Sequence, residues 1–287
     1  PTGLLTGFMN FVAGIGKDFK TDYIVFALDA KGTTFRNELF DNYKAQRPDV
    51  PEDLLTQLPV AISWVEKMGF KIAIRTGYEA DDMVASIAKD AKEKGFEVRI
   101  VSHDKDLYQL IDDANSVYLF DPTKKQIINE AKCIEKYGVT PKQFIDYQAL
   151  VGDTADNIPG VKGVGAKTAQ TLIEQFGTLE NIYENIENID KKRTKELLIE
   201  GKENAFLSKQ LVTLKDDCHF ISNIDEFSLP LENPILKIAS DLESYDMHRI
   251  IERVNKNGLN YKTEVPKQAS EQKLEYIESL QMQGKNV

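Results

Sequence analysis

Acidic side chains occur in this sequence where predicted strands end and where predicted helices begin. Asp29 follows the run from Asp22 to Leu28, whose apolar residues are typical of a buried strand. Ligand-binding side chains of open α/β sheets lie beyond the carboxyl ends of the strands. We therefore expect the acids in such positions to meet at one sheet edge: Asp29, Glu79, Asp81, Asp82, Asp104, Asp106, Asp153 and Asp156.

Carboxylates held this close together raise one another's pKa values and oppose folding unless cations accompany them. An all-oxygen set of ligands suits hard divalent ions, so the pattern predicts Mg²⁺ or Mn²⁺ rather than zinc. His103 has no histidine or cysteine partner at zinc-ligand spacing, and we interpret it as a sheet-edge residue. Acids in a first helical turn also serve as ordinary caps, which stays the alternative for Glu79 to Asp82.

A glycine-rich hairpin follows the last pair of acids. On a helical turn, Asp153 and Asp156 would project to one side. The segment Gly160–Gly165 is too rich in glycine for a helix, and the apolar spacing after Lys167 predicts a new helix. Backbone N–H groups at such a helix start bind anions, most often phosphate. The segment is not a P-loop, because Ala166 stands where that motif has its lysine. A plain turn is the alternative.

Residues 31–50 interleave aromatic and basic side chains. Aromatic rings that stack on bases and cations that meet phosphates are common in sites for single-stranded nucleic acid. A solvated loop is the alternative for this stretch. The basic cluster Lys191–Lys195 likewise either contacts a nucleic acid backbone or forms a solvated helix face.

The composition is typical of a globular protein with a sizeable core. The chain has 287 residues, of which 41% are apolar and 29% charged. No apolar run approaches the roughly 18 residues of a membrane-spanning helix. Cys133 and Cys218 show neither metal nor disulfide spacing, which fits a reducing cytoplasm. The net charge of −10 opposes general nucleic acid binding and limits such a role to local basic patches.

Apolar periodicity predicts an α/β N-terminal part and a helical C-terminal part. The predicted strands cover residues 22–28, 70–74 and 96–101, with two more between 116 and 128. The predicted helices cover residues 3–17, 51–68 and 246–254, with others beginning near 79 and 167 and two between 130 and 151.

Five segments carry the most distinctive residue patterns. They read FALDAK from Phe26, NYKAQRP from Asn42, GYEADD from Gly77, SHDKDLYQL from Ser102 and GDTADNIPGVKGVGAKTA from Gly152. Together they resemble the flap endonuclease family, in the form of the 5′-nuclease domain of bacterial DNA polymerase I. The resemblance implies an α/β, PIN/FEN-like fold with a mostly parallel central sheet flanked by helices. It also implies a helical arch at about residues 31–50 and a C-terminal helix–hairpin–helix subdomain.

The same resemblance implies three regions. They are a nuclease core at residues 1–140, a duplex-binding helical subdomain at 141–262 and a polar tail or linker at 263–287. Family members begin with a further strand whose aspartate is a metal ligand. Because this sequence starts at Pro1 without that strand, we expect an N-terminally truncated, excised fragment.

The resemblance implies two or more divalent ions, Mg²⁺ or Mn²⁺. The residues implied to hold the first ion, directly or through water, are Glu79, Asp81 and Asp82. Those implied to lie nearer the second are Asp104, Asp106, Asp153 and Asp156, with Asp29 between the two.

The remaining implied roles concern DNA. Tyr43 would stack near the scissile nucleotide, while the residues that hold phosphates would be Arg36, Lys44 and Arg47. The hairpin, assisted by K⁺, would grip the duplex through Gly160, Val161, Lys162, Gly163, Val164, Gly165, Lys167 and Thr168.

The implied activity is that of a structure-specific 5′-nuclease, both 5′→3′ exonuclease and flap endonuclease. It would act by a two-metal mechanism on DNA with 5′ flaps, nicks or overhangs, in replication and repair, including primer removal. A polymerase domain would follow in the parent chain, and the protein would be cytoplasmic and nucleoid-associated. One alternative is a DNA-structure-binding fragment with weak or no catalysis, because the first metal-binding strand is absent. Another is a metal-dependent phosphatase that acts on small phosphoesters.

Overall fold

The computed structural model describes residues 2–19, 21–48, 50–230 and 232–257. The predicted tail at 263–287 and the last residues of the predicted helical subdomain, 258–262, lie outside the described residues. The α-helices of the described part are α1 (Gly3–Asp18), α2 (Phe35–Leu39), α3 (Glu52–Met68), α4 (Ala80–Glu93), α5 (Glu130–Tyr137), α6 (Phe144–Val151), α7 (Ala166–Phe176), α8 (Leu179–Glu184), α9 (Lys192–Glu200), α10 (Lys202–Val212), α11 (Ala239–Ser244) and α12 (His248–Asn257). Its strands are β1 (Val25–Ala27), β2 (Lys71–Ala73), β3 (Val98–Val101), β4 (Val117–Asp121) and β5 (Gln126–Ile128).

The helices begin and end at residues whose chemistry explains the boundary. Helix α3 starts with two acids that favour the positive end of the helix dipole, and it stops at Gly69, which has φ +87°. The Asn129 side chain accepts a hydrogen bond from the Lys132 amide and caps α5, which ends at Gly138 with φ +71°. The helices predicted over 3–17 and 51–68 are therefore confirmed. Among the described helices, none has both the length and the apolar character needed to cross a bilayer.

The chain divides into two compact units, and the first contains the described residues of Pro1–Leu28, Pro48–Ala73 and Ile221–Val287. Helix α1 packs against α3 through its apolar face, on which Leu5, Met9 and Val12 are buried. The parallel pair β1–β2 joins them, and the ring of Phe26 in β1 contacts Phe8 edge to face. This unit thus has a core of its own.

The second unit comprises Asp29–Arg47 and Ile74–Phe220. Its sheet pairs β3 with β4 in parallel and β4 with β5 in antiparallel orientation. Parallel pairing is confirmed in both units, but the described strands form two small sheets rather than one continuous sheet. All the sequence-predicted site residues belong to the second unit. The segment predicted as an arch contains α2 and a turn at residues 41–46.

Candidate metal and nucleic-acid site

Three connections of the second unit carry seven of the eight predicted acids. The start of α4 carries Glu79, Asp81 and Asp82, and the loop after β3 carries Asp104 and Asp106. The turn after α6 carries the last pair. The acids before Asp153 thus lie at a helix start or after a strand, as the sequence predicted, whereas Asp153 and Asp156 follow a helix.

The last pair of acids lies on a turn rather than on the helical turn that the spacing suggested. Helix α6 ends at Gly152, which has φ +72°, and Pro159 disfavours helical backbone at the residue before it. The backbone of Asp153 then exchanges two hydrogen bonds with Ile158, of 2.9 and 2.7 Å. These bonds close a tight turn that directs Asp153 and Asp156 toward the same group of acids.

The start of α4 uses part of its acids as caps. The Glu79 side chain accepts from the backbone of Asp82, and Asp82 accepts from the Glu79 amide at 3.0 Å. Asp29 Oδ1 accepts from the Ala80 amide at 2.7 Å, so it too meets the positive end of the helix. Capping and site formation are therefore combined at this helix end.

Asp82 forms a buried ion pair with Arg36. The guanidinium donates to both carboxylate oxygens at 2.7 and 2.8 Å, and Arg36 Nε donates to the Leu211 carbonyl at 2.8 Å. Asp82 is 0% exposed, Arg36 is 1% exposed, and Asp82 Oδ1 also accepts from the Lys215 amide. With these contacts filled, Arg36 is not available to steer phosphate, nor Asp82 to hold an ion. Both leave the proposed site as structural residues.

This pair gives a stability prediction. Arg36→Met should lower the free energy of unfolding by about 3–5 kcal/mol, because it leaves the Asp82 charge buried without a partner. Urea unfolding monitored by circular dichroism would measure the change. The matched control is Arg193→Met, whose partner Glu196 and own side chain are both exposed. We expect that control to cost about 0–1 kcal/mol. An equally small cost for Arg36→Met would contradict the structural role.

The turn at residues 41–46 together with Arg47, which we call the cationic turn, lies directly on the acids. Lys44 has φ +58°, and its amide donates to the Asp156 carbonyl at 3.0 Å. Its Nζ lies 2.7 Å from Glu79 Oε1, while Arg47 Nη2 lies 2.6 Å from Asp156 Oδ1. Two of the three cations that the resemblance implied for phosphate binding thus neutralise two of the predicted metal ligands.

Tyr43 does not present its ring to solvent. It is 5% exposed, packs with Ile158 and Leu211, and donates its hydroxyl hydrogen to Glu79 Oε2 at 3.0 Å. Burial and the neighbouring Glu79 carboxylate raise the pKa of Tyr43. In this arrangement the ring anchors the cationic turn and is not free to stack on a nucleotide.

Three further acids lie close together, with Lys44 near enough to act on Asp81 and Lys105 on Asp106. Within the described residues, no ion pair joins a side-chain cation to Asp81, Asp104 or Asp106. Burial and the charges of Asp104 and Asp106 raise the pKa of Asp81 to about 7. Burial and Asp104 also raise the pKa of Asp106 to about 6. The folded chain therefore concentrates negative charge here that a bound cation would relieve.

Asp106 also belongs to a second group. One carboxylate oxygen from each of Asp106, Asp153 and Asp156 lies within 4.8 Å of the other two. Lys105 Nζ contacts Asp153 at 2.9 Å, so this group is partly neutralised by the chain itself. Oxygen donors at such separations fit a hard divalent cation. Asp106, Asp153 and Asp156 therefore form a candidate divalent metal site, and Asp81 and Asp104 add negative charge beside Asp106.

Two closely packed glycines, Gly152 before the turn of Asp153 and Asp156 and Gly160 at the start of the hairpin, join these two segments. A Cβ on Gly152 would lie 2.6 Å from the Ile158 carbonyl oxygen, and one on Gly160 would lie 2.5 Å from the Gly152 nitrogen. Val161 and Val164 are buried in the core of this unit, so their side chains anchor the hairpin. The residues of the predicted set that remain at the surface are Lys162, Gly163, Gly165 and Lys167, with Gly160 buried and Thr168 half-buried.

Gly160→Ala should therefore destabilise the unit by more than about 1 kcal/mol, because an alanine at φ +58° is strained and its methyl group meets backbone. Thermal unfolding would measure the loss. Gly165→Ala is the comparison, since Gly165 has φ −91° and a Cβ there meets nothing within 4 Å. A similar, small change for both variants would contradict the close packing.

Sequence reasoning missed two amides that organise the site. The Asn157 side chain joins the two turns, because Nδ2 donates to the Asn42 carbonyl at 2.8 Å and Oδ1 accepts from Gln46. Gln148 donates to Asp106 from within α6. Its signal was a polar residue four positions after Phe144, where helical spacing places it on the same face as that buried ring.

Comparisons with known proteins agree on one family. Residues 1–138 match the model of the 5′-3′ exonuclease N-terminal resolvase-like domain, and residues 139–234 match that of the 5′-3′ exonuclease C-terminal SAM fold. The 5′-3′ exonuclease of Aquifex aeolicus is 35% identical over 89% of this chain and 86% of its own length. DNA polymerase I of Helicobacter pylori is 43% identical over 85% of this chain. The chain spans only 27% of that polymerase.

Solved structures of a bacteriophage nuclease share the fold. The T5 5′-exonuclease with bound zinc superposes with a TM-score of 0.65 at 25% identity, covering 86% of this chain and 90% of that one. The T5 flap endonuclease in complex with DNA and metal ions gives a TM-score of 0.64 at 25% identity, covering 86% of this chain and 89% of that one. The first of these structures contains zinc, and the second contains DNA and metal ions, on the fold that this chain shares.

Proposed function

Since the chain belongs to the 5′-3′ exonuclease family, we propose that it is a metal-dependent nuclease that hydrolyses phosphodiester bonds of DNA near 5′ ends. Its substrates would be 5′ flaps, nicks and overhangs. The observation that carries the proposal is a cluster of three carboxylates with two basic side chains at its edge, all in the second unit. Asp106, Asp153 and Asp156 offer oxygens within 4.8 Å of one another, and Arg47 and Lys44 lie at the edge of that group.

The carboxylates would divide into two sets of ligands that share one member. Asp81, Asp104 and Asp106 would hold one divalent ion, and Asp106, Asp153 and Asp156 a second. Two such ions lower the pKa of an attacking water and offset the charge that develops on the phosphate. Glu79 and Asp29 accept hydrogen bonds from backbone amides at the start of α4, and they would hold this helix start, which carries Asp81, in place.

The cationic turn supplies the charge that faces the substrate. Lys44 and Arg47 pair with carboxylates in the DNA-free chain, and a phosphodiester offers each of them an alternative anion. Lys44 would place a point charge and Arg47 a planar fork on the phosphate oxygens. Fixed cations of this kind stabilise the negative charge of the transition state.

The exposed part of the hairpin would hold the duplex by its backbone. Lys162 precedes the N-terminus of α7, Lys167 lies in its first turn, and both side chains are exposed. The backbone N–H groups at a helix N-terminus bind anions such as phosphate. Contacts of this type fix the position of the duplex and carry no sequence information. We include a K⁺ ion at the hairpin, and Mg²⁺ or Mn²⁺ at the carboxylates, as parts of the proposal.

The cellular role that we propose is removal of 5′ strands, including primers, during DNA replication and repair. The similarity to DNA polymerase I supports a parent chain with a polymerase domain. Such a protein would act in the bacterial cytoplasm on the nucleoid. The regions 1–140, 141–262 and 263–287 are proposed as nuclease core, duplex-binding subdomain and linker.

Cleavage of a 5′-labelled flap in Mg²⁺, Mn²⁺ or EDTA, with DNA binding measured in Ca²⁺, tests the function. Metal-dependent release of short 5′ products is the expected result. Binding in Ca²⁺ without products in either active metal would favour the second candidate, a DNA-structure-binding protein. The engagement of Glu79 and Asp82 in hydrogen bonds is the observation on that side, because it reduces the set of free ligands.

A further inference from the structure

Gln148 is a buried residue in direct contact with the candidate metal site. It lies on the buried side of α6 and is 3% exposed. Its Nε2 donates to Asp106 Oδ1 at 2.5 Å, across 42 positions of sequence. A side-chain amide that is fully enclosed and bonded to a carboxylate fixes the direction of that carboxylate.

The chemistry of the contact determines which way the amide points. With the opposite orientation, Oε1 would face the ionised Asp106 at the same short distance, and two acceptors would repel each other. In the observed orientation, Oε1 is buried and has no hydrogen-bond partner among the described residues. A buried acceptor without a partner is unfavourable. The bond from Nε2 to Asp106 offsets this cost and holds the amide in place.

The same residue also reaches the other ligands of the group. The Gln148 carbonyl accepts from the Gly152 amide at 2.7 Å, and Gly152 directly precedes Asp153. The backbone of Gly152 in turn approaches that of Gly160 closely, because a Cβ on Gly160 would lie 2.5 Å from the Gly152 nitrogen. Gln148 thus connects Asp106, on the loop after β3, with the turn that carries Asp153 and Asp156.

We propose that Gln148 is a positioning residue of the metal site. Its amide holds the Asp106 carboxylate where one oxygen lies within 4.8 Å of those of Asp153 and Asp156, and this raises the affinity of the group for divalent ions. The inference rests on the proposed function only in taking these three acids as metal ligands. A role in packing alone would need the volume of the side chain and not its amide.

The experiment replaces the amide and keeps the volume. In Gln148→Met, the dissociation constant for Mn²⁺ alone, measured from the electron paramagnetic resonance signal of the free ion, should rise by about 10–100-fold. Saturating Mn²⁺ should restore most of the cleavage rate, and the affinity for flap DNA in Ca²⁺ should stay within about threefold. A protein that lost only packing would lose stability without this shift in metal affinity.

Gln170→Met is the matched control. Gln170 also donates a side-chain amide hydrogen, to the Tyr137 carbonyl at 2.6 Å, but it contacts none of the acids. We expect its Mn²⁺ affinity to equal that of the unmodified chain. Thermal unfolding in EDTA establishes that both variants are folded.

A second variant keeps the proposal testable if Gln148→Met does not fold. Gln148→Asn keeps an amide but shortens it by one methylene, so it should weaken Mn²⁺ binding in the same direction. Unchanged Mn²⁺ affinity in either folded variant would overturn the proposal. Mn²⁺ binding needs no DNA, so the two proposals can fail separately. If the unmodified chain cleaved no DNA but the Gln148 variants still bound Mn²⁺ more weakly than it does, the result would support the role of Gln148 and refute the nuclease function.

Discussion

Asp106→Asn should abolish metal-dependent cleavage of flap DNA while leaving DNA binding in Ca²⁺ nearly unchanged. Asp106 belongs to both groups of acids, so its loss removes a charged ligand from each. The fall in turnover should exceed the ~100-fold change that follows loss of a residue hydrogen-bonded to a ligand. Single-turnover cleavage and a binding titration, run on the same flap, measure the two quantities. Equal losses of turnover and DNA affinity would contradict the assignment.

The same substitution should stabilise the metal-free fold. Burial and Asp104 raise the pKa of Asp106 from 3.8 to about 6, so its ionised form is less favourable in the folded chain than in the unfolded chain. The unfolded state therefore loses this proton at lower pH, and folded stability falls as pH rises through about 6. In EDTA at about pH 8, Asp106→Asn should gain up to about 3 kcal/mol.

Urea unfolding in EDTA, compared between about pH 8 and about pH 5, measures this gain. At the lower pH the unmodified chain should already have recovered part of its stability, because Asp81 and Asp106 take up protons. Asp190→Asn, at an exposed position, is the control and should change little at either pH. A less stable Asp106→Asn protein at about pH 8 would show that the acids are not in mutual repulsion.

Lys44→Ala should lower the single-turnover rate by about 10²–10³-fold, the effect of removing one fixed charge that faces the transition state. Lys44 Nζ lies 2.7 Å from Glu79 and 3.9 Å from Asp156, at the edge of the carboxylates. Alanine meets the same backbone constraint at φ +58° as lysine does, so the turn itself should persist. Flap affinity in Ca²⁺ should fall only a few-fold, because many contacts hold the duplex.

Lys31→Ala is the control for charge alone, since Lys31 is an exposed cation in the same stretch of sequence. It should reduce cleavage and affinity together, and only slightly. If Lys44→Ala behaved like Lys31→Ala, Lys44 would be a general DNA-binding residue. Lys44→Arg tests the geometry, because a planar fork does not reproduce a compact ammonium group.

The sequence by itself determined which connections carry the chemistry. Strand ends and helix starts depend on local periodicity and on capping residues, so Asp104 after β3 and Glu79 before α4 could be placed without a structure. The hairpin Gly160–Gly165 was equally readable, because a segment so rich in glycine does not form a helix and indicates a tight connection. These features depend on neighbours in sequence.

Only the tertiary structure decided which charged residues are free to act. Arg36 and Asp82 are 46 positions apart, and their pairing removes both from the site that their sequence motifs suggested. Tyr43 looked like a stacking residue but is buried beside Leu211, and Gln148, which the sequence analysis did not single out, donates to Asp106. Local sequence patterns determine which helix, strand or loop carries a side chain. The residue that it contacts comes from a distant segment that packing brings close. For ionisable groups, that partner determines whether the charge is used for folding or remains available for a ligand.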